Sequence, residues 1–213
     1  MLEERYSEQE FRGLGLFKRN KYVIIISAAI FFGSLFAGYL LSPIIDQIMS
    51  EALKQFKDNV NNGVIQLTTF SIFLNNFKIA LSLYGFGLSF GFFTFLSLAY
   101  NGLFIGYAAS QYDLGDFLIF TVPHGIFEIS GIVIAGAAGF RLASTLFHII
   151  GDIFKIKRDI PIKGQLGNIL DSNYFEFTDS LKLFIIAAIL LLIAAFIEAN
   201  ITLKLGNYII GII

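Results

Sequence analysis

Between Val64 and Ser110 the chain runs for 47 residues with a single charged side chain, Lys78. No other feature constrains the fold as strongly. In a soluble domain about one residue in four is charged, and a run this apolar must be buried in protein or in lipid. Comparable runs occupy Tyr22–Leu41, most of Phe117–Phe154 and Leu181–Leu203, and the whole 213-residue chain is 56% hydrophobic but only 15% charged. A helix needs about 20 apolar residues to cross a bilayer. Val64–Ser110 therefore holds two crossings, separated near Tyr84-Gly85-Phe86-Gly87. In hydrocarbon every backbone amide and carbonyl must be paired internally, which leaves helices as the spanning form.

The sequence thus predicts an all-α, polytopic transmembrane helical bundle with about five spans, near 22–41, 65–83, 86–110, 124–150 and 181–203, in one transmembrane domain over 22–205. The first run exceeds a signal-peptide core of roughly 7–15 residues and reads as a retained anchor. Residues 1–21 read as a cytoplasmic interfacial segment. There Ser7 and Glu10 fit a capping box, and Phe11, Leu14 and Phe17 recur at helical spacing. Ser42-Pro43 opens an amphipathic external helix over 43–60, with Ile45, Ile48, Ala52, Phe56 and Val60 on its apolar face. Pro123 and Gly125 predict a helix break, with a half-helix over 114–122 before it, because proline lacks an N–H and glycine adds backbone freedom. Residues 151–180 read as a polar cytoplasmic connector. Small residues at four-residue spacing (Ala29, Gly33, Ala37; Gly87, Gly91; Gly102, Gly106; Gly131, Ala135, Gly139) predict close helix approach.

Basic residues mark the cytoplasmic side. Arg5, Arg12, Lys18, Arg19 and Lys21 precede the first span, and Lys155, Lys157, Arg158 and Lys163 lie in the long connector. Lys54 and Lys57 are the only basic residues between the first two spans, and the loop before Pro123 carries Asp113 and Asp116. The expected protein is a multi-pass cell-membrane protein with a cytoplasmic N-terminus and an extracytoplasmic C-terminus.

Polar residues inside the spans need a reason, since a mid-membrane charge costs about 2.5–3.5 kcal/mol on insertion scales. Asn75, Asn76, Asn101, His124, Glu128 and Glu198 fall at one depth in the outer half and form a candidate intramembrane polar cluster. His124 and Glu128, at i and i+4, share a helix face. This set is either a hydrogen-bonded structural cluster or a site that handles protons or cations. Arg141 lies in the inner half and reads as a cation snorkelling to the inner interface.

Other chemistries are thinly represented. A net charge of −1 gives no footprint for nucleic acid, and the absence of cysteine removes thiolate and Cys-metal chemistry. His148 stands 24 residues beyond His124, about 36 Å along a helix, so the two cannot share a metal within the chain. Ser144 and His148 imitate a nucleophile and base but show no third group. No metal site, cofactor or catalytic residue is expected.

Pro123-His124-Gly125-Ile126-Phe127-Glu128, followed by Ala135-Gly136-Ala137-Ala138-Gly139-Phe140-Arg141-Leu142, resembles the signature of the stage II sporulation protein M family. Asn75-Asn76 and Asn101-Gly102-Leu103-Phe104-Ile105-Gly106 resemble two further blocks of that family, and Glu198 in Ala-Phe-Ile-Glu-Ala-Asn is similar to the closing span of its archaeal-type members. The resemblance covers about 65–205. It implies an all-helical membrane protein. The name-giving member works with a peptidoglycan-degrading machine at the septal membrane during engulfment, as a membrane subunit or scaffold, and most members occur where no spores form. The expected function is a non-enzymatic subunit or scaffold of a membrane complex. Its partners would be the bilayer and either a second copy or other membrane proteins. The alternative is a transporter or channel for a small ion or solute that uses the polar cluster; an intramembrane hydrolase is a weaker third.

Overall fold

The computed structural model describes residue 13, residues 15–157, residue 159 and residues 161–211. The capping box at Ser7 and Glu10, with Phe11 and Leu14, lies outside the described residues. Among the described residues there is no strand. The elements are α1 (Leu16–Arg19), α2 (Lys21–Leu40), α3 (Ser42–Asn61), α4 (Thr69–Gly85), a 3-10 turn (Phe86–Ser89), α5 (Phe92–Ser110), α6 (Leu114–Ile153), α7 (Ile162–Ile197), a π-helical turn (Glu198–Thr202) and α8 (Leu203–Ile209). Four stretches are long and apolar enough to cross a membrane: α2, α5, α6, and the continuous helix from Ile162 to Ile209. Where a crossing is expected at 65–83 the structure has α4, whose 17 residues leave it outside those four stretches.

Helix ends follow local chemistry. Thr68 caps α4 by accepting the Ser71 amide, and Asp113 caps α6 by accepting the amides of Gly115 and Asp116, which pairs N–H groups that the first turn leaves free. The break expected near Tyr84–Gly87 is present. The 3-10 turn ends in two left-handed residues, Phe90 (φ 57°) and Gly91 (φ 83°), which fold α5 back against α4. Thr94 Oγ1, fully buried, donates to the Leu83 carbonyl at 3.0 Å, so a carbonyl in the last turn of α4 is satisfied.

The break expected at Pro123 and Gly125 is absent. α6 runs unbroken for 40 residues with Pro123 inside it. Proline removes one ladder bond, the one to the Ile119 carbonyl. The rest of the ladder and the packing on both sides carry the helix through. The connector expected over 151–180 is also shorter, because α7 begins at Ile162. The reason lies in a buried helical stripe: Asn173, Glu176, Asp179, Ser180, Leu183 and Ala187 recur every three or four residues, so the polar half continues the spacing of the apolar half.

α6 and α7 form the longest interface, α2 pairs with α5, and α4 packs across α6 and α7. Their shared core contains Phe31, Ala80, Leu83, Leu98, Ile132, Val133, Ala135, Ala187 and Leu191. Glycines set the closest approaches. A Cβ on Gly102 or Gly106 would strike the backbone of α2 at Phe31 or Leu35, and one on Gly139 would strike the Leu83 carbonyl. The stripe expected at Ala29, Gly33 and Ala37 does not act this way. Gly33 faces open space, and α2 instead presents Phe31, Ser34, Leu35 and Gly38 to α5. α3 buries Met49 and Leu53 against Tyr107, whose hydroxyl donates to Asp46 at 2.5 Å. Ile48, expected on that packed face, is exposed.

Candidate functional site

Two polar layers lie toward opposite ends of the α6–α7 pair. The first centres on His124. The four-residue spacing on α6 places His124 and Glu128 on one face, with Nε2 of His124 3.8 Å from Oε2 of Glu128. From the far end of α7, Glu198 brings its own Oε2 to 4.0 Å from the same nitrogen. The ligating atoms of His124, Glu128 and Glu198 all lie within 4.8 Å of one another.

The π turn keeps Glu198 in place. Ala194, Thr202 and Gly206 are buried at four- and eight-residue intervals. In a regular α-helix a four-residue step drifts by about 40°. The wider π turn offsets that drift, so Glu198, Thr202 and Gly206 keep facing α6. Single π turns recur at functional positions in helices. Nδ1 of His124 lies 3.2 Å from Thr202 Oγ1, and that hydroxyl donates to the Ile197 carbonyl at 3.3 Å. With the hydroxyl proton on that carbonyl, the tautomer that completes the contact carries Nδ1–H toward Thr202. The neutral imidazole then directs its Nε2 lone pair at the two carboxylates.

α4 supplies the third wall. Asn75 donates to Asn76 Oδ1 at 3.4 Å, and the buried side chain of Asn76 lies beside Glu128. Nearby, Asn200 donates to Thr69 Oγ1 at 3.2 Å. Five of the six expected cluster residues are therefore in contact, directly or through a neighbour. Asn101 is not among them: it donates to the Ser97 carbonyl of its own helix at 2.7 Å. Depth along a span was readable for it, but the helix face was not. Pro123 and Gly125 lie beside His124 in continuous helix rather than at a break.

The second layer was not expected. Asp179, fully buried on α7, accepts both arms of Arg19, Nε at 2.9 Å and Nη2 at 2.7 Å, and the Asn20 amide at 2.9 Å. The Arg19 guanidinium also lies 4.6 Å from the centre of the Phe175 ring. Arg141, expected to snorkel, is instead buried, with Nη2 3.4 Å from Oε1 of Glu176. The correction has a simple cause: α7 extends far enough to place a carboxylate beside it, so the guanidinium need not reach for water. The other oxygen of Glu176 meets Nδ1 of His148 at 3.0 Å. Ser144 and His148 thus do have a carboxylate neighbour, contrary to expectation, though His148 is half exposed and Arg141 shares that carboxylate. Glu176 and Asp179 were missed because charges in an assumed loop read as solvated. The available signal was their helical spacing to Leu183 and Ala187.

Between the layers the interior is mostly apolar, its buried hydroxyls Ser27 and Thr94 donating to the carbonyls of Val133 and Leu83. Glu128 and Arg141 are 13 residues apart on α6, about 20 Å. Ile132, Ala135, Ala138, Leu83, Leu183, Ala187 and Leu191 fill that space and are almost wholly buried. A separate cavity of about 560 Å³ lies between α2, α5 and the first turns of α6, lined by Phe32, Leu35, Phe117, Val122 and Ile129 among others. It is apolar and does not include His124 or Glu128.

The profile of the stage II sporulation protein M family matches residues 22–203. The chain is 29% identical over 195 residues to uncharacterized protein MJ0793 of Methanocaldococcus jannaschii, covering 89% of this chain and 99% of that protein. It is 25% identical over 200 residues to uncharacterized protein MJ0706 of the same organism, covering 89% and 85% respectively. No solved structure matches. On the extent of the family match, the chain belongs to the stage II sporulation protein M family.

Proposed function

We propose that this chain is a non-enzymatic integral membrane protein that serves as a subunit or scaffold of a membrane complex. Five crossings fit the helices: α2, α4 with its 3-10 extension, α5, and the membrane portions of α6 and α7. At 17 residues α4 lies at the short end of spanning lengths. The N-terminus and the α6–α7 turn then face the cytoplasm, and the C-terminus lies outside the cell. The His124 layer occupies the outer half of the bilayer and the Asp179 layer the inner half.

One observation carries the scaffold reading. The two polar layers are separated by a close-packed, mostly apolar slab, and each joins side chains from different helices. Such an arrangement fastens a bundle in one geometry; a conduit needs polar lining through its middle. The transporter alternative draws on the two carboxylates that meet at His124. Capture from native lipid followed by identification of bound proteins is the test, with a defined membrane partner or a second copy as the expected result. Flux is the opposing outcome. In liposomes, Glu128→Gln is expected to leave permeability to protons and small cations at its wild-type level. Wild-type flux that Glu128→Gln abolishes would overturn the scaffold role.

A further inference from the structure

The His124 layer brings two carboxylates and an imidazole nitrogen within 4.8 Å of one another. The carboxylates of Glu128 and Glu198, from two different helices, face each other at close range. The imidazole of His124 is their neighbour, and among the described residues no lysine or arginine pairs with either. In a low-dielectric setting two uncompensated carboxylates are costly. Their spacing is too long for direct hydrogen bonds to Nε2, yet three ligating atoms point at one volume.

We propose that Nε2 of His124 and the carboxylates of Glu128 and Glu198 bind one divalent transition-metal ion, of the zinc or manganese kind. The donor set selects that class. Magnesium and calcium favour all-oxygen cages, whereas an imidazole nitrogen beside carboxylates suits transition metals. The surroundings are those of a ligand set. Nδ1 of His124 lies 3.2 Å from Thr202 Oγ1, while Nε2 is the ring nitrogen toward the two carboxylates; such a partner orients a histidine ligand at metal sites. The π turn holds Glu198 toward α6. Around zinc at 2.0–2.2 Å, ligand atoms stand about 3.3–3.6 Å apart. The observed 3.8 and 4.0 Å close to that by small rotations of two glutamate side chains. Three protein ligands leave a coordination position for water, and all three side chains retain some exposure. The ion would join the outer ends of α6 and α7, whatever partner the bundle serves.

The test uses the purified full-length chain in lipid nanodiscs, stripped with chelator, then titrated calorimetrically with zinc chloride, manganese chloride and magnesium chloride in turn. One zinc or manganese ion per chain is expected, with magnesium much weaker. Glu128→Gln and Glu198→Gln should each weaken binding at least about tenfold, while Glu51→Gln on α3 leaves it unchanged. X-ray absorption of the zinc-loaded wild type should show nitrogen and oxygen neighbours with an imidazole signature, which keeps the test decisive if a variant fails to fold. Absence of stoichiometric binding, binding indifferent to both glutamates, or a spectrum without imidazole would each overturn the site. Partner capture is a separate measurement, so loss of the metal site leaves the scaffold reading standing, and the reverse.

Discussion

Asp179 shows how a single buried side chain can hold two distant parts of the chain together. It sits 160 positions from Arg19 in sequence and accepts both arms of its guanidinium. A bidentate charge-assisted pair is strong and directional, and removing one member leaves the other as a buried charge. Asp179→Asn should therefore lower stability in detergent by about 3–5 kcal/mol, read from thermal unfolding. The apolar pair Arg19→Met with Asp179→Leu should recover most of that loss. A single-variant cost below about 1 kcal/mol would mean the fork is incidental. The His124 half of the polar architecture was legible in the sequence because His124, Glu128, Glu198 and the Asn75-Asn76 pair interrupt otherwise apolar runs. The Asp179 half was not, because Glu176 and Asp179 lie in a stretch rich in polar residues, where a carboxylate gives no sign of burial. Arg141 was visible as an anomaly, but its explanation depended on a neighbour 35 positions away on another helix.

At the scale of helices, hydropathy placed the elements well and misjudged their ends. The amphipathic helix α3 and the hairpin near Tyr84–Gly87 follow directly from sequence pattern. Pro123 misled because the rule that proline breaks helices is a rule about one hydrogen bond and one clash, and a long packed helix outlasts both. The same limit applies to small-residue stripes, where spacing identifies a face but not whether a partner covers it. Gly106 and Gly33 make the contrast measurable. Gly106→Ala places a methyl against the Leu35 backbone and should cost on the order of 1–3 kcal/mol through overpacking. Gly33→Ala enters open space and should be neutral or stabilising by up to about 1 kcal/mol, the helix-propensity difference. Equal melting temperatures for the two variants would refute the assigned α2–α5 interface.

For the molecule as a whole, the proposed odd number of crossings puts the chain ends on opposite sides. The cysteine-free sequence makes this easy to probe, since each introduced cysteine is the only thiol. In intact cells, Asn207→Cys should react with a membrane-impermeant maleimide, whereas Gly164→Cys should react only after permeabilisation. Reversed accessibility would invert the orientation, and equal accessibility would remove a crossing. The 40 residues of α6 amount to a rod about 60 Å long beside a hydrocarbon layer about 30 Å thick. α6 passes Pro123 without a helix break, so its two ends belong to one helix. A helix that much longer than the hydrocarbon layer extends past it or tilts within it, and α7, packed along α6, shares that geometry.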